Sequence, residues 1–337
     1  MTLRKLFSIS LLVSSVAAAG AGNHSMPRYM REPPYRPPWM SIQNNMVEFD
    51  LSYDFSVPGE TRRISFVAVL PQTIPDRQTV LGISYSPKPS RIFNRNGNRY
   101  AEFVFVRPER HVDVKISVKA ELFRYDLMTA MTRRETEPSE DLQLAEFLRQ
   151  EKYIEKDHDL IQEAADGIEG ETDIDIAKNI YDYVADNMEY AVTGGRGLGA
   201  VKALQRGKGD CTEYSDLFAA ICRAKKLPAR VVTGYTVRTD STPPRHNWVE
   251  VYLRGYGWVP FDPTSGAMEN IMIRGRAFSR MWPVYIYLSH IRNDEMLDNY
   301  GFGAYKYWGD RVTFKDSIEF RQPVPPIRTN RPDSGNP

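Results

Sequence analysis

Cysteine is nearly absent from this chain: Cys211 and Cys222 are the only two in 337 residues. A disulfide framework is thereby excluded, because sulfur-stapled secreted scaffolds are small and cysteine-dense. Charge of one sign is also lacking. With 44 basic and 43 acidic residues the net charge is +1, which offers no field for nucleic acid or polyphosphate. No apolar run beyond the N-terminus reaches the ~20 residues of a membrane-spanning helix. The glycines at 194, 195, 197 and 199 are not followed by Gly-Lys-Ser/Thr, so they read as a flexible loop near an active site rather than a phosphate cradle.

What is present begins with "MTLRKLFSISLLVSSVAAAGAG". Arg4 and Lys5 precede an apolar run from Leu6 to Val16, and Ala17-Ala18-Ala19 supplies small residues for cleavage. This reads as a secretory signal peptide over 1–19, predicting export to the periplasm or the extracellular space and no membrane attachment after cleavage. Residues 20–43, with "PRYMREPPYRPP", have the composition of an extended linker. Over 44–127 the pattern is that of strands. "HVDVKISVKAELF" alternates strictly, and Asn96-Gly97 marks a hairpin, predicting an all-β, sandwich-like domain that positions substrate or docks a partner.

After Glu137 the period becomes helical. "SEDLQLAEFLRQ" and "TDIDIAKNIYDYVADNM" carry the new spacing, the second with Asp173 as its cap. Residues 138–322 form the expected catalytic domain, closed by strand-like residues before Phe320, and 323–337 a disordered tail.

Both cysteines fall in "GKGDCTEYSDLFAAICRAKKLPAR". Asp210 and Glu213 make a capping box, which starts a helix with Cys211 in its first turn. There the free N–H groups and the helix dipole favour a thiolate. Cys222 lies eleven residues on, about 16 Å along the axis. That separation exceeds the ~7 Å reach of a disulfide and rules out a shared metal, so Cys222 reads as buried core.

Of the five histidines, His24, His111, His158 and His290 sit in settings that suit structural or solvated roles. His246 instead opens the alternating run "HNWVEVYL", which the turn "RGYG" joins to "GWVPFDPT". A three-residue loop at Arg254-Gly255-Tyr256 places His246 and Asp262 diagonally on one face, about 7–8 Å apart at Cα. A two-residue loop would separate them. The pattern therefore predicts an odd loop or a bulge, with Gly255 or Gly257 at positive φ. Cys211, His246 and Asp262 then form a nucleophile, a base and an orienter for acyl transfer from an amide.

These three words, in this order, resemble the core of the transglutaminase-like superfamily in its bacterial secreted form. The likeness runs from about Ser139 to Gly266 and more weakly to Phe320. It implies an α+β, papain-like catalytic core behind the N-terminal all-β domain, and catalytic roles for Cys211, His246 and Asp262. Two departures matter. Animal transglutaminases use an upstream tryptophan at the oxyanion, and this chain has none between Trp39 and Trp248. The Cys211 N–H supplies one donor, with Tyr190 as candidate for the second. Nor are there calcium-binding acidic loops, so no cofactor or metal is expected. The expected partner is a protein or peptide substrate, with no nucleic acid; oligomeric state is left open. Hydrolysis as a peptidase or amidase is the leading reading. Protein-glutamine cross-linking and a non-enzymatic binding module that keeps the fold stand as alternatives.

Overall fold

The computed structural model describes residues 42–57, 59–132, 144–193, 197–237, 245–267, 274, 277–297 and 301–321. The expected signal peptide, most of the proline-rich linker, His24 and the 323–337 tail lie outside these residues.

Seven strands come first: β1 (Asn44–Ser56), β2 (Thr61–Leu70), β3 (Gln78–Ser86), β4 (Arg91–Arg95), β5 (Asn98–Val106), β6 (His111–Phe123) and β7 (Tyr125–Asp126). The strict alternation in β6 does what period-2 patterning demands. Val112, Val114, Ile116, Val118, Ala120 and Leu122 are all buried. Asn96 and Gly97 turn the β4–β5 hairpin with φ of 49° and 81°, the left-handed pair a tight hairpin requires.

Next come α1 (Leu127–Thr132), α2 (Asp159–Asp166), α3 (Asp173–Asn187), β8 (Glu189–Tyr190), α4 (Ala200–Arg206), β9 (Lys208–Gly209) and α5 (Cys211–Ala224). The cap of α3 is Thr172 rather than the expected Asp173. Thr172 accepts from the Asp175 N–H while the Asp175 side chain returns a bond to the Thr172 backbone, and this reciprocal box fixes the helix start one residue earlier. Of "SEDLQLAEFLRQ", residues 144–148 form a short 3-10 turn, and 139–143 lie outside the described residues.

The remaining strands are β10 (Ala229–Thr236), β11 (Arg245–Leu253), β12 (Gly257–Phe261), β13 (Arg280–Met281), β14 (Tyr285–Ser289), β15 (Gly303–Gly309) and β16 (Thr313–Phe320). Two sheets, ordered β16-β1-β6-β3 and β15-β2-β5-β4, face each other through an aromatic core that includes Phe49, Phe55, Phe66 and Phe103. The segment expected to close the catalytic unit thus returns to the N-terminal sheets, with β16 on β1 and β15 on β2. Its aromatic and β-branched residues suit a strand in either place. Only the available edges of the sandwich decide between them.

The third large sheet, ordered β12-β11-β10-β14, positions the site. Helix α5 covers one face with Leu217, Phe218, Ile221 and Cys222, all fully buried. Burial contributes about 1.5–3 kcal/mol for each large side chain among them. On the opposite face, Tyr235, Ile286 and Leu288 join the sandwich core. Strand β14 alternates between the two cores, with Tyr287 toward the helices and Ile286 and Leu288 toward the sandwich. The Gln78 amide locks the junction by bonding both the Tyr287 carbonyl and the Tyr287 N–H.

Gly234 on β10 tests this packing. A Cβ there would lie 2.0 Å from the Ile286 carbonyl oxygen and 2.8 Å from Trp248, and backbone cannot move aside cheaply. Gly234→Ala is expected to destabilise the chain by about 2–4 kcal/mol, measured by urea unfolding. A loss below about 0.5 kcal/mol would show that β10 and β14 are not so tightly paired.

Candidate active site

The capping box starts α5 where the sequence requires. The Asp210 carboxylate accepts from Thr212 N at 3.0 Å, and Glu213 Oε2 accepts from Asp210 N at 3.0 Å. Cys211 is therefore the first helical residue, half-buried, with a backbone N–H that has no intrahelical partner. Asp210 also accepts from the Thr193 hydroxyl at 2.8 Å, which ties this turn to the chain entering from α3.

His246 and Asp262 meet as the hairpin geometry requires. Strands β11 and β12 pair Val249 with Phe261 and Leu253 with Gly257, the three-residue loop register. Gly255 and Gly257 have φ of +84° and +70°. Carried one step further, this register sets Asp262 opposite Trp248, and His246, two residues before Trp248, shares that face. His246 Nε2 lies 2.8 Å from Asp262 Oδ2, leaving Nδ1 as the ring nitrogen available to sulfur. The Cys211 side chain also acts on the imidazole, favouring its charged form. One cross-link holds this approach in register: Asn247 Nδ2 donates to Thr212 Oγ1 at 3.0 Å, joining the neighbour of the histidine to the neighbour of the cysteine.

Asp262 is 4% exposed and heavily bonded. Its Oδ2 accepts from His246 and from the Tyr285 hydroxyl at 2.7 Å; its Oδ1 accepts from Thr264 N at 3.1 Å and Thr264 Oγ1 at 2.5 Å. Burial alone would raise its pKa, but the charge on His246 and these donors outweigh it and hold the carboxyl down at about 2. The imidazole shows the converse. Burial disfavours its charged form, yet the Asp262 charge and hydrogen bond, with a further contribution from Cys211, raise it to about 10. Low dielectric strengthens both the penalty and the compensation; here compensation wins for both groups. The site is therefore built to keep the imidazole in its charged form.

Trp248 is fully buried behind the imidazole, its ring 6.0 Å away and inclined by 27°. Tyr285 packs edge-on to Trp248 at 5.1 Å. Trp248 was readable by alternation, two residues after His246. Tyr285 was not. It comes from β14, beyond the motif-bearing stretch, and reaches Asp262 only because β14 pairs with β10.

Tyr190 lies on β8, whose parallel pairing with β9 sets it opposite Gly209, two residues before Cys211. Its side chain is 54% exposed. The other histidines are elsewhere. His111 pairs with Asp113 at 2.9 Å on the sandwich surface, His158 caps α2, and His290 is 3.5 Å from Glu250. Among the glycines of the loop, Gly197 and Gly199 have positive φ, while 194 and 195 lie outside the described residues. The α4 terminus they lead into is capped by Glu155, whose Oε2 accepts from Ala200 N at 2.8 Å. A carboxylate therefore occupies the position a phosphate would take.

Asp54, His111 and Asp113 are a group among the described residues whose ligand atoms, within 4.8 Å of one another, could hold a metal ion. They are exposed on the sandwich and share no side chain with the Cys211 site.

Residues 162–263 match the family model for the transglutaminase-like superfamily. An uncharacterized protein of Haemophilus influenzae is 22% identical over 375 aligned positions, covering 95% of this chain and 98% of its own. The uncharacterized protein YebA of Bacillus subtilis is 34% identical over 71 residues, 17% of this chain and 10% of its own. A crystal structure from Cytophaga hutchinsonii, provisionally described as a cysteine protease, is 20% identical. It superposes with a TM-score of 0.55 over 84% of this chain and 93% of its own. That likeness establishes the shared α+β fold.

Proposed function

Since residues 162–263 match the family model for the transglutaminase-like superfamily, we propose that this chain is an exported thiol enzyme that transfers the acyl group of a peptide or glutamine-side-chain amide through a thioester, with water as acceptor. One observation carries the reading. Cys211 stands at a helix start and acts on the His246 imidazole, and Asp262 lies 2.8 Å from that ring.

The steps follow from the groups present. The imidazole takes the thiol proton, and the thiolate attacks the amide carbon. The carbonyl electrons pass to oxygen, where the Cys211 N–H, and in this reading the Tyr190 hydroxyl, stabilise the oxyanion. Collapse breaks the C–N bond, and the imidazolium gives its proton to the departing amine. Water, deprotonated by the same imidazole, then breaks the C–S bond and releases a carboxylate. Asp262 holds the ring tautomer and stabilises the imidazolium throughout. Signal cleavage after Ala19 would place the mature chain outside the cytoplasm, and the β sandwich would present substrate to the cleft.

The test is acyl-enzyme trapping. A glutamine-containing peptide is mixed with the enzyme, quenched in acid, and examined by intact-mass spectrometry with and without an added primary amine. A mass gain confined to a Cys211 peptide, discharged by water, supports hydrolysis. Discharge only by the amine would replace hydrolysis with cross-linking. Absence of any adduct across a panel of peptide amides would end the enzyme reading and favour a binding module.

A further inference from the structure

A cavity of about 730 Å³ opens at the end of the catalytic sheet remote from Cys211. It lies where the C-terminal end of α5, the first residues of β10, the β12 edge and the chain after β14 converge. Strand order makes the separation plain. The triad sits where His246 pairs with Gly234, whereas the cavity is reached at Arg230, Val231 and Trp258. Arg223 lies twelve residues along α5 from Cys211, about 18 Å at helical rise.

The lining is unusual in its guanidinium groups. Arg230 grips the buried Glu250 through Nε at 2.9 Å and Nη2 at 2.6 Å. Arg292 grips the buried Asp216 through Nε at 2.6 Å and Nη2 at 3.0 Å. Each fork is thereby fixed from behind, and Nη1 of each is left without a protein partner among the described residues. Arg223 is held by the Ala229 and Arg149 carbonyls and by Glu151. Arg149 is exposed, and its guanidinium makes no hydrogen bond or ion pair among the described residues. Four arginines thus line one cavity with two carboxylates, Glu146 and Glu151; Glu151 pairs with Arg223, and the carboxylates that balance Arg230 and Arg292 stand behind their forks.

Beside these donors is an apolar corner made by two rings. Phe147 and Trp258 meet edge-to-face with ring centroids 5.0 Å apart, and the Arg230 guanidinium lies 4.1 Å over the Trp258 ring. A stacked, doubly anchored guanidinium loses little freedom when it receives an acceptor, which is the setting arginine provides for carboxylate and phosphate. The volume falls in the range of small-molecule sites, where a few convergent polar groups orient a ligand against apolar walls.

We propose that this cavity binds a small molecule carrying an oxyanion, carboxylate or phosphate, next to a planar apolar group, with Arg149 and the outer edges of Arg230 and Arg292 facing the anion and Trp258 with Phe147 facing the plane. The inference does not rest on the catalytic reading, because no lining residue belongs to the triad.

The test is calorimetric titration of the full chain with phenylacetate, phenyl phosphate, inorganic phosphate and phenylacetamide. Saturable one-to-one binding of an aryl anion is expected, about tenfold or more tighter than phenylacetamide, as one charge-assisted contact implies. The tighter of the two aryl anions assigns the source as carboxylate or phosphate. Arg149→Ala is the informative variant, since this exposed side chain holds nothing else in place, and it should weaken binding about tenfold. Arg230→Ala is unsuitable because it would strand the buried Glu250 charge. Trp258→Leu should weaken the aryl anions while leaving inorganic phosphate nearly unchanged. Cys211→Ala should bind as the parent does. Failure of both aryl anions to saturate, equal binding of phenylacetamide, or unchanged affinity in Arg149→Ala would each overturn the proposal. Loss of binding in Cys211→Ala would move the ligand to the triad and overturn it as well.

Discussion

Cys211→Ala is expected to lower kcat/KM on a peptide amide by about five to six orders of magnitude, the loss seen when a covalent nucleophile is removed from a relay that acts as a unit. Stability should barely change. Cys211 is half-buried at the first helical position, and the α5 cap is made by Asp210 and Glu213 rather than by sulfur. Alanine keeps those bonds, so the midpoint of thermal unfolding should stay within about 2 °C. Alkylation offers an independent check. Iodoacetamide should modify Cys211 rapidly and spare Cys222, which is fully buried and whose thiol burial pushes well up. Equal labelling of both cysteines in the folded chain, or an alanine variant with parental turnover, would remove sulfur from the mechanism.

Asp262→Asn should produce the second-largest loss, about 10³- to 10⁴-fold in kcat/KM, with a change in the shape of the pH profile. The sign follows from the site. With Asp262 ionised, the imidazole is raised to about 10, so the alkaline limb of kcat/KM falls near that pH. Asparagine keeps the volume and removes the charge. Burial then acts on His246 with its chief opponent gone, and the alkaline limb should move down by several pH units. A merely structural defect would lower the rate without moving the limb. The same groups set a stability window. His246, raised in the folded state, contributes stability that is complete below about 6.5 and lost as pH rises through about 10. Asp262, depressed to about 2, contributes stability that is complete above about 4 and lost as pH falls through about 2. The parent should therefore gain its full share from this pair between about pH 4 and 6.5, and the variant should show little of that dependence. An alkaline limb common to both proteins would sink the assignment of Asp262 as the orienter of His246.

Much of this was legible in the chain because the informative interactions are local or follow from strict periodicity. A capping box spans four residues, so Asp210 and Glu213 announce the start of α5 and hence the place of Cys211. A hairpin register depends on loop length and strand parity, so His246 and Asp262 could be put on one face before any contact was known. The β6 alternation and the Asn96-Gly97 turn are equally short-range. Asp173 missed the α3 cap by one residue because Thr172 and Asp175 each accept from the other's backbone N–H, and that reciprocal box sets the cap at Thr172.

Other features depend on partners distant in sequence. Tyr285 reaches Asp262 only because β14 docks against β10, and nothing within "VYIYLS" specifies that neighbour. The return of β15 and β16 to the N-terminal sheets depends on which strand edges lie open after the sandwich forms. The arginine-lined cavity gathers Arg149, Arg223, Arg230 and Arg292 from four separate stretches. Residue order alone therefore determined where Cys211, His246 and Asp262 stand, since caps and registers are set within a few residues. Tertiary packing decided what surrounds them, because burial and non-local edge pairing come into being only when the sheets close on one another.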